Sequence, residues 1–293
     1  MIYDIRHTTR FDYPTPVRFA RCNMRLEPIA WAGQRLDCHS LDIRPGGRTT
    51  LARISSPLAH VSRVVISQPV SSLEIESVSE VIVDRLVPEI LPDDPDIATV
   101  AEAARASRDL SPTGPAEFLY PSPLIPLDAE IAAWCAQDLA PDRPVVEGGI
   151  ALARRIQAEF AYDTAATTID TTPMQAFALK RGVCQDFAQV MISGLRAAGL
   201  PAAYVSGYIR TYPPPGQARL IGADATHAWV LIWCGAERGW IGFDPTNGIF
   251  MAGDHIVMAV GRDYGDVAPI DGIFTGMGAQ AIHVSVDVAP REP

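Results

Sequence analysis

Eight prolines crowd one stretch of this chain: Pro88, Pro92, Pro95, Pro112, Pro115, Pro121, Pro123 and Pro126. Each fixes φ and removes a backbone donor, so neither a long helix nor a central strand can run through them. The chain has to change architecture here. Before residue 88 the segments Ile2–Thr9, Leu36–Arg44, Arg63–Ile66 and Ser72–Val83 are rich in Ile, Val and Thr. Gly, Pro and Ser separate them, so they read as strands. In Ser72–Val83 the apolar phase slips between Ile75 and Val78, which predicts a bulge or bend.

Beyond the prolines the apolar period lengthens. A short helix is expected over Ile97–Arg108 inside the connector, and others over Asp128–Leu139 and Val146–Phe160. Thr172-Pro173 reads as an N-cap followed by proline at the first helical position, and Gly182 as the stop. A longer helix follows from about Cys184 to Ala198. Strand-like runs come next: Ala202–Ile209, His227–Trp233, Trp240–Asp244, Ile256–Val260 and Gln280–Val288. This order predicts an α+β fold with helices packed on an antiparallel sheet. The expected division is a β-rich domain over residues 1–88, a Pro-rich and helical connector over 89–145, and a core over 146–293 that keeps the C-terminal strands.

Composition removes several classes of function. A net charge of −10 and a pI near 5 argue against nucleic-acid binding, which needs clustered cations. No run approaches the ~18 apolar residues of a membrane span, and Met1–Tyr13 has no apolar signal core. The expectation is a soluble, cytoplasmic protein that does not engage a membrane. Five cysteines with no C-x-x-C pair make a disulfide framework or a structural zinc site unexpected, and no cofactor is implied. Lys180 is the only lysine, which reads as base-composition bias of the source genome.

One of the five thiols has a distinctive setting. In Gly182-Val183-Cys184-Gln185-Asp186-Phe187 the cysteine opens a helix. A helix N-terminus favours a thiolate through its dipole and offers free N–H groups to an oxyanion. The alternative is a buried apolar cysteine on an amphipathic helix. His227 begins one strand and Asp244 ends the next, just before Pro245. If those strands pair antiparallel, the two side chains come together. Asp244 would then accept from His227 Nδ1 and fix the ring, as the third member of a triad does.

The run GVCQDFAQVMISGLRAAGLPAAYVSGYI, then DATHAWV, then GWIGFDPTNG, resembles the bacterial transglutaminase-like family of the papain-like cysteine superfamily. HTTRFDYPTPV near the start resembles the β-rich N-terminal domain that precedes this core in bacterial members, and AVGRDYGDVAP resembles their C-terminal segment. The resemblance implies Cys184 as nucleophile, His227 as general base and Asp244 as its orienting acid. It also implies a peptide or protein substrate with an amide bond. One departure is Leu231, where many members carry an acidic residue after HAWV.

Around the three, Gln185, Asp186, Trp229 and Tyr162 are candidates for substrate contact. Asp186 in the first helical turn equally suits the dipole. Trp229 and Trp240 equally suit a core. His255, Asp263, Tyr264 and Asp266 match a recurrent family segment and read as structural, with a place at the border of the cleft as the alternative. Acyl transfer through a thioester is the expected chemistry, with water or an amine as acceptor. Hydrolysis is favoured, and no calcium loop of the D-x-D-x-D-G type occurs. A non-catalytic peptide-binding module is the competing class. Oligomeric state cannot be read from the chain.

Overall fold

The computed structural model describes residues 1–46, 49–212, 226–276 and 280–291. Six strands open the chain: β1 (Ile2–Val17), β2 (Phe19–Glu27), β3 (Gln34–Arg44), β4 (Thr49–Ser55), β5 (His60–Ile66) and β6 (Val70–Val83). The connector carries α1 (Ile97–Ala106) and α2 (Ala129–Cys135), and α3 (Val145–Glu159) follows. Then come β7 (Ala161–Tyr162), α4 (Pro173–Leu179), β8 (Arg181–Gly182) and α5 (Cys184–Ala197). The core strands are β9 (Ala202–Ile209), β10 (Thr226–Trp233), β11 (Trp240–Asp244), β12 (Ile249–Phe250) and β13 (His255–Gly261). The short α6 (Tyr264–Val267), β14 (Ile270–Thr275) and β15 (Ala281–Pro290) complete the chain. The fold is α+β, as expected. Among the described residues no helix is long and apolar enough to cross a membrane.

The central sheet has the order β12-β11-β10-β9-β13 and is antiparallel throughout. Its strands alternate between two buried faces. Ala228, Val230 and Ile232 of β10 pack with α2, α3 and α5, while Trp229 and Leu231 join Ile29, Phe118 and Met251 on the other side. Helix α5 is the hub of the helical side. Its Arg196 is buried and donates to the carbonyls of Phe118, Ala202 and Arg262, tying three segments to one helix.

The C-terminal strands do not stay with the core, where sequence alone had put them. β15 pairs with β1, and β14 with β2, giving two four-stranded sheets of order β15-β1-β6-β3 and β14-β2-β5-β4. Their inner faces meet over Met24, Leu26, Val64, Leu73 and Ile75. A third cluster joins Tyr3, Ile5, Val81 and Val288 to Tyr208, Ile256 and Met258 of the central sheet. The N-terminal β-domain is therefore packed against the core through a shared apolar interface.

Two local expectations change. The bulge between Ile75 and Val78 does not occur, because Ser77 and Ser79 take the inward positions and β1 pairs with β6 without interruption there. The Ser77 hydroxyl is satisfied by the Leu26 carbonyl at 2.8 Å. The irregularity lies instead in β3, between Leu36 and Cys38. Helix α4 does start with a Thr172–Gln175 capping box and Pro173, but it ends on Lys180 at φ 49°, not on Gly182. A left-handed lysine is strained. Here its ammonium sits 3.9–4.4 Å from the ring centres of Phe177, Trp134 and Phe160, a cation–π cage that offsets the strain.

Helices α2 and α5 touch at Gly194, where an added Cβ would land on Cys135 Sγ. Gly194→Ala should therefore lower stability by about 1–3 kcal/mol through overpacking. The check is a urea titration, in which the midpoint falls while the slope is kept.

Candidate active site

Cys184 is the first residue of α5, so its N–H has no acceptor within the helix. The approach to it is built by Gly182 and Asp186. The Asp186 carboxylate turns back to accept from Val183 N at 2.8 Å and from Thr167 Oγ1 at 2.7 Å. A Cβ at residue 182 would collide with that carboxylate, so glycine here is a matter of space. Burial raises the Asp186 pKa, and the bonds from Val183 and Thr167 act against it. Asp186 is almost wholly buried and fixes the helix start and the loop that carries Thr167. In this structure it has no face toward a substrate.

His227 stands on β10 and Asp244 at the end of β11. The register Val230↔Phe243 to Trp233↔Trp240 brings the mouth of one strand beside the end of the other. His227 Nε2 lies 2.8 Å from Asp244 Oδ2. This corrects the expected ring orientation: Asp244 meets Nε2, not Nδ1. Cys184 lies near enough to this ring for its charge to help raise the imidazole pKa. Burial pushes the imidazole down, but the hydrogen bond to Asp244 and the influence of Asp244 and Cys184 outweigh it. The net result is a His227 pKa raised to about 10.

Asp244 is completely buried. Its Oδ1 accepts from the backbone N–H groups of Thr246 and Asn247, at 2.9 and 3.2 Å. Its Oδ2 accepts from Asn247 Nδ2 at 2.6 Å and from the two histidines His227 and His255. Burial raises this carboxyl, yet the bonds and charges of His227 and His255 hold it well below the usual carboxylate range.

The other expected residues scatter. Tyr162 is half exposed and stands on β7 beside Gly182; burial, then the charges of Cys184 and Asp186, push its phenol up. Gln185 reaches back to the Ile169 carbonyl at 3.5 Å. Trp229 does not wall a groove: it is fully buried, and its indole donates to Met251 Sδ. Trp240 lies at the opposite end of β11 from Asp244 and packs on Phe118. Leu231 is buried in the core, so the departure from the acidic pattern does not touch the site. Asp263 caps α6, and Asp266 binds Arg262. The loop before His227, including Asp224, lies outside the described residues.

Sequence reasoning missed three neighbours. Asn247 was inside the FDPTNG motif but received no role. Tyr204 is fully buried, and its phenol is pushed up by burial and then by the charge of Cys184. His255 had been read as structural, with a place at the border of the cleft as the alternative, and not as a partner of Asp244. A cavity of about 380 Å³ opens beside Asn247 and His255, with Ile209, Arg210, Tyr212 and Phe250 also lining it.

His227, Asp244 and His255 also form the one cluster among the described residues with three metal-ligating atoms, all within 4.8 Å of one another. Those atoms are already committed to one another by hydrogen bonds. A divalent ion would have to displace the His227 proton that Asp244 holds. The arrangement suits the holding of an imidazole ring better than a metal cage.

The family described as "Transglutaminase-like superfamily" matches residues 133–245, and "Bacterial transglutaminase-like N-terminal region" matches residues 3–82. An uncharacterised protein of Mycobacterium tuberculosis is 37% identical over 305 residues, covering 99% of this chain and 93% of that protein. A protein-glutamine gamma-glutamyltransferase of Pseudomonas aeruginosa is 39% identical over 100 residues, covering 33% of this chain and 15% of that protein. The crystal structure of a candidate cysteine protease from Cytophaga hutchinsonii superposes with a TM-score of 0.75 at 19% identity, covering 100% of this chain and 92% of that one, and so shares its fold.

Asp244→Asn should bring the raised His227 value down toward or below the unperturbed ~6.5. Histidine-selective NMR over a pH series reads this directly. An unchanged His227 titration in the variant contradicts the pairing.

Proposed function

Because this chain belongs to the transglutaminase-like superfamily, we propose that it cleaves amide bonds in peptides or proteins through a thioester on Cys184, with water as acceptor. One observation carries the reading: a single imidazole, His227, hydrogen-bonded to Asp244 at 2.8 Å and raised in pKa by the influence of both Asp244 and Cys184. That is the arrangement an activated nucleophile requires.

The steps follow from the positions. His227 holds the proton drawn from Cys184, and Sγ attacks the carbonyl carbon of the substrate. The oxyanion of the tetrahedral intermediate is held by the free N–H at the start of α5, where the helix dipole also favours negative charge. The C–N bond then breaks as His227 gives its proton to the departing amine. A thioester to Cys184 remains. Water attacks the thioester carbonyl while His227 receives its proton. The C–S bond breaks, the carboxylic acid leaves and loses its remaining proton to solvent, and the proton on His227 returns to sulfur. His227 cycles one proton throughout, and Asp244 stabilises the imidazolium without becoming protonated.

Water is favoured as acceptor because Cys184 is partly exposed and Tyr162 beside it is 56% exposed, so solvent reaches the thioester carbonyl. Transfer to an amine is the second reading, supported by the similarity over 100 residues to the glutamyltransferase of Pseudomonas aeruginosa.

The test is intact-protein mass spectrometry with a glutamine-containing peptide or an activated ester, with and without a primary amine. The wild type should show an acyl adduct that Cys184→Ala abolishes. His227→Ala should slow acylation by roughly 10⁵–10⁶-fold and Asp244→Asn by a smaller factor, about 10²–10⁴-fold. The acylation rate should fall as pH rises through about 10, where His227 loses the proton it must deliver. An adduct that persists in Cys184→Ala sinks the mechanism. A product carrying the amine replaces hydrolysis with transfer.

A further inference from the structure

His255 opens β13 and is 1% exposed. Its Nδ1 accepts the Ala252 N–H at 3.3 Å, so in the neutral ring the proton sits on Nε2. That Nε2 lies 3.3 Å from Asp244 Oδ2, the same oxygen that meets His227. Burial lowers the His255 pKa against the pull of Asp244, which keeps the ring in this neutral donor form.

The donors to Asp244 fall into two kinds. Thr246 N, Asn247 N and Asn247 Nδ2 belong to the turn that begins at Asp244 itself, so they move with the carboxylate. His255 comes from another strand and is fixed from outside that turn. Trp229 packs edge-on against its ring, with centroids 5.1 Å apart. Arg85, at the end of the N-terminal β-domain, donates to the carbonyls of His255 and Ala252 at 2.9 and 3.3 Å. Tyr3 of β1 donates to Asp254 at 2.8 Å, one residue away. Gln34 of β3 exchanges amide hydrogen bonds with both backbone groups of Val257.

We propose that His255 is a positioning residue: it holds Asp244 Oδ2 against His227, and the N-terminal β-domain holds His255 through Arg85 and Tyr3. The proposal rests on Cys184 and His227 acting as a pair, as read above. It also gives the N-terminal domain a part in the chemistry, as the fixed frame behind the triad.

The experiment compares three substitutions by the rate at which iodoacetamide alkylates Cys184 at pH 6, followed by peptide mass spectrometry on the full chain. His255→Phe keeps an aromatic ring against Trp229 but has no donor. His255→Gln keeps an N–H near the position of Nε2. His255→Asn has the same amide on a shorter stem. The Phe variant should lose about tenfold in rate, within what a misplaced group remote from the chemistry can cost. The Gln variant should stay within about threefold of wild type. A packing role predicts the reverse order, Phe above Gln. In an Asp244→Asn background the Phe substitution should add nothing, because both changes act through one carboxylate. Wild-type reactivity in the Phe variant, or full additivity with Asp244→Asn, overturns the proposal. If the Phe variant fails to fold, a Gln variant no faster than Asn overturns it instead. No substrate enters this comparison, so an absent acyl-enzyme in the wild type refutes the proposed reaction separately.

Discussion

A carboxylate with no solvent contact is costly unless every lone pair is used, and Asp244 is such a group. Five donors meet it: two backbone N–H groups, one amide and two imidazoles. Much of the surrounding structure supplies those donors. The turn after β11 curls so that Thr246 and Asn247 face back. β10 starts early enough to bring His227 alongside, and β13 begins with a histidine. Because Asp244 is held ionised, His227 keeps a proton far above its ordinary range, and Cys184 at the head of α5 has a partner able to accept and return one.

The second constraint is that the N-terminal and C-terminal strands are one unit. β14 and β15 return from the core to pair with β2 and β1, so the chain ends close where it begins. β15 and β14 thereby cover β1 and β2 and become the edge strands of the two sheets in their place. This closure also presses β1 and β6 onto the underside of the central sheet through Tyr3, Ile5, Val81, Tyr208 and Ile256. The helical side and the β-domain side thus grip the same central sheet, whose strands carry His227 and Asp244.

Much of this was legible from residues alone, where local preference and burial agree. β9 and β11 have the bounds their apolar runs predict, and α5 begins at Cys184. Six strands were not visible: β2, β4, β14 and the two-residue β7, β8 and β12. β2 reads Phe-Ala-Arg-Cys-Asn-Met-Arg-Leu-Glu, and its Ala, Asn and Arg have little intrinsic preference for a strand. Pairing with β5 and β14 makes it one. The expected bulge in β6 failed for a related reason, since buried serines carry no apolar signal although their hydroxyls are satisfied inside.

For the site, the chain by itself determined Cys184, His227 and Asp244 as the candidate residues. A thiol after Gly182, a histidine at a strand start and an acid before Pro245 each have a local physical reason, and their order matches the family now shown. Only the tertiary structure decided which ring nitrogen faces which partner, that Trp229 and Leu231 belong to the core, and that His255 joins Asp244. Those outcomes depend on contacts between residues far apart in sequence. Side-chain periodicity tells which face a residue occupies, but not what stands opposite it. That is set by strand register and by the packing of the β-domain under the sheet.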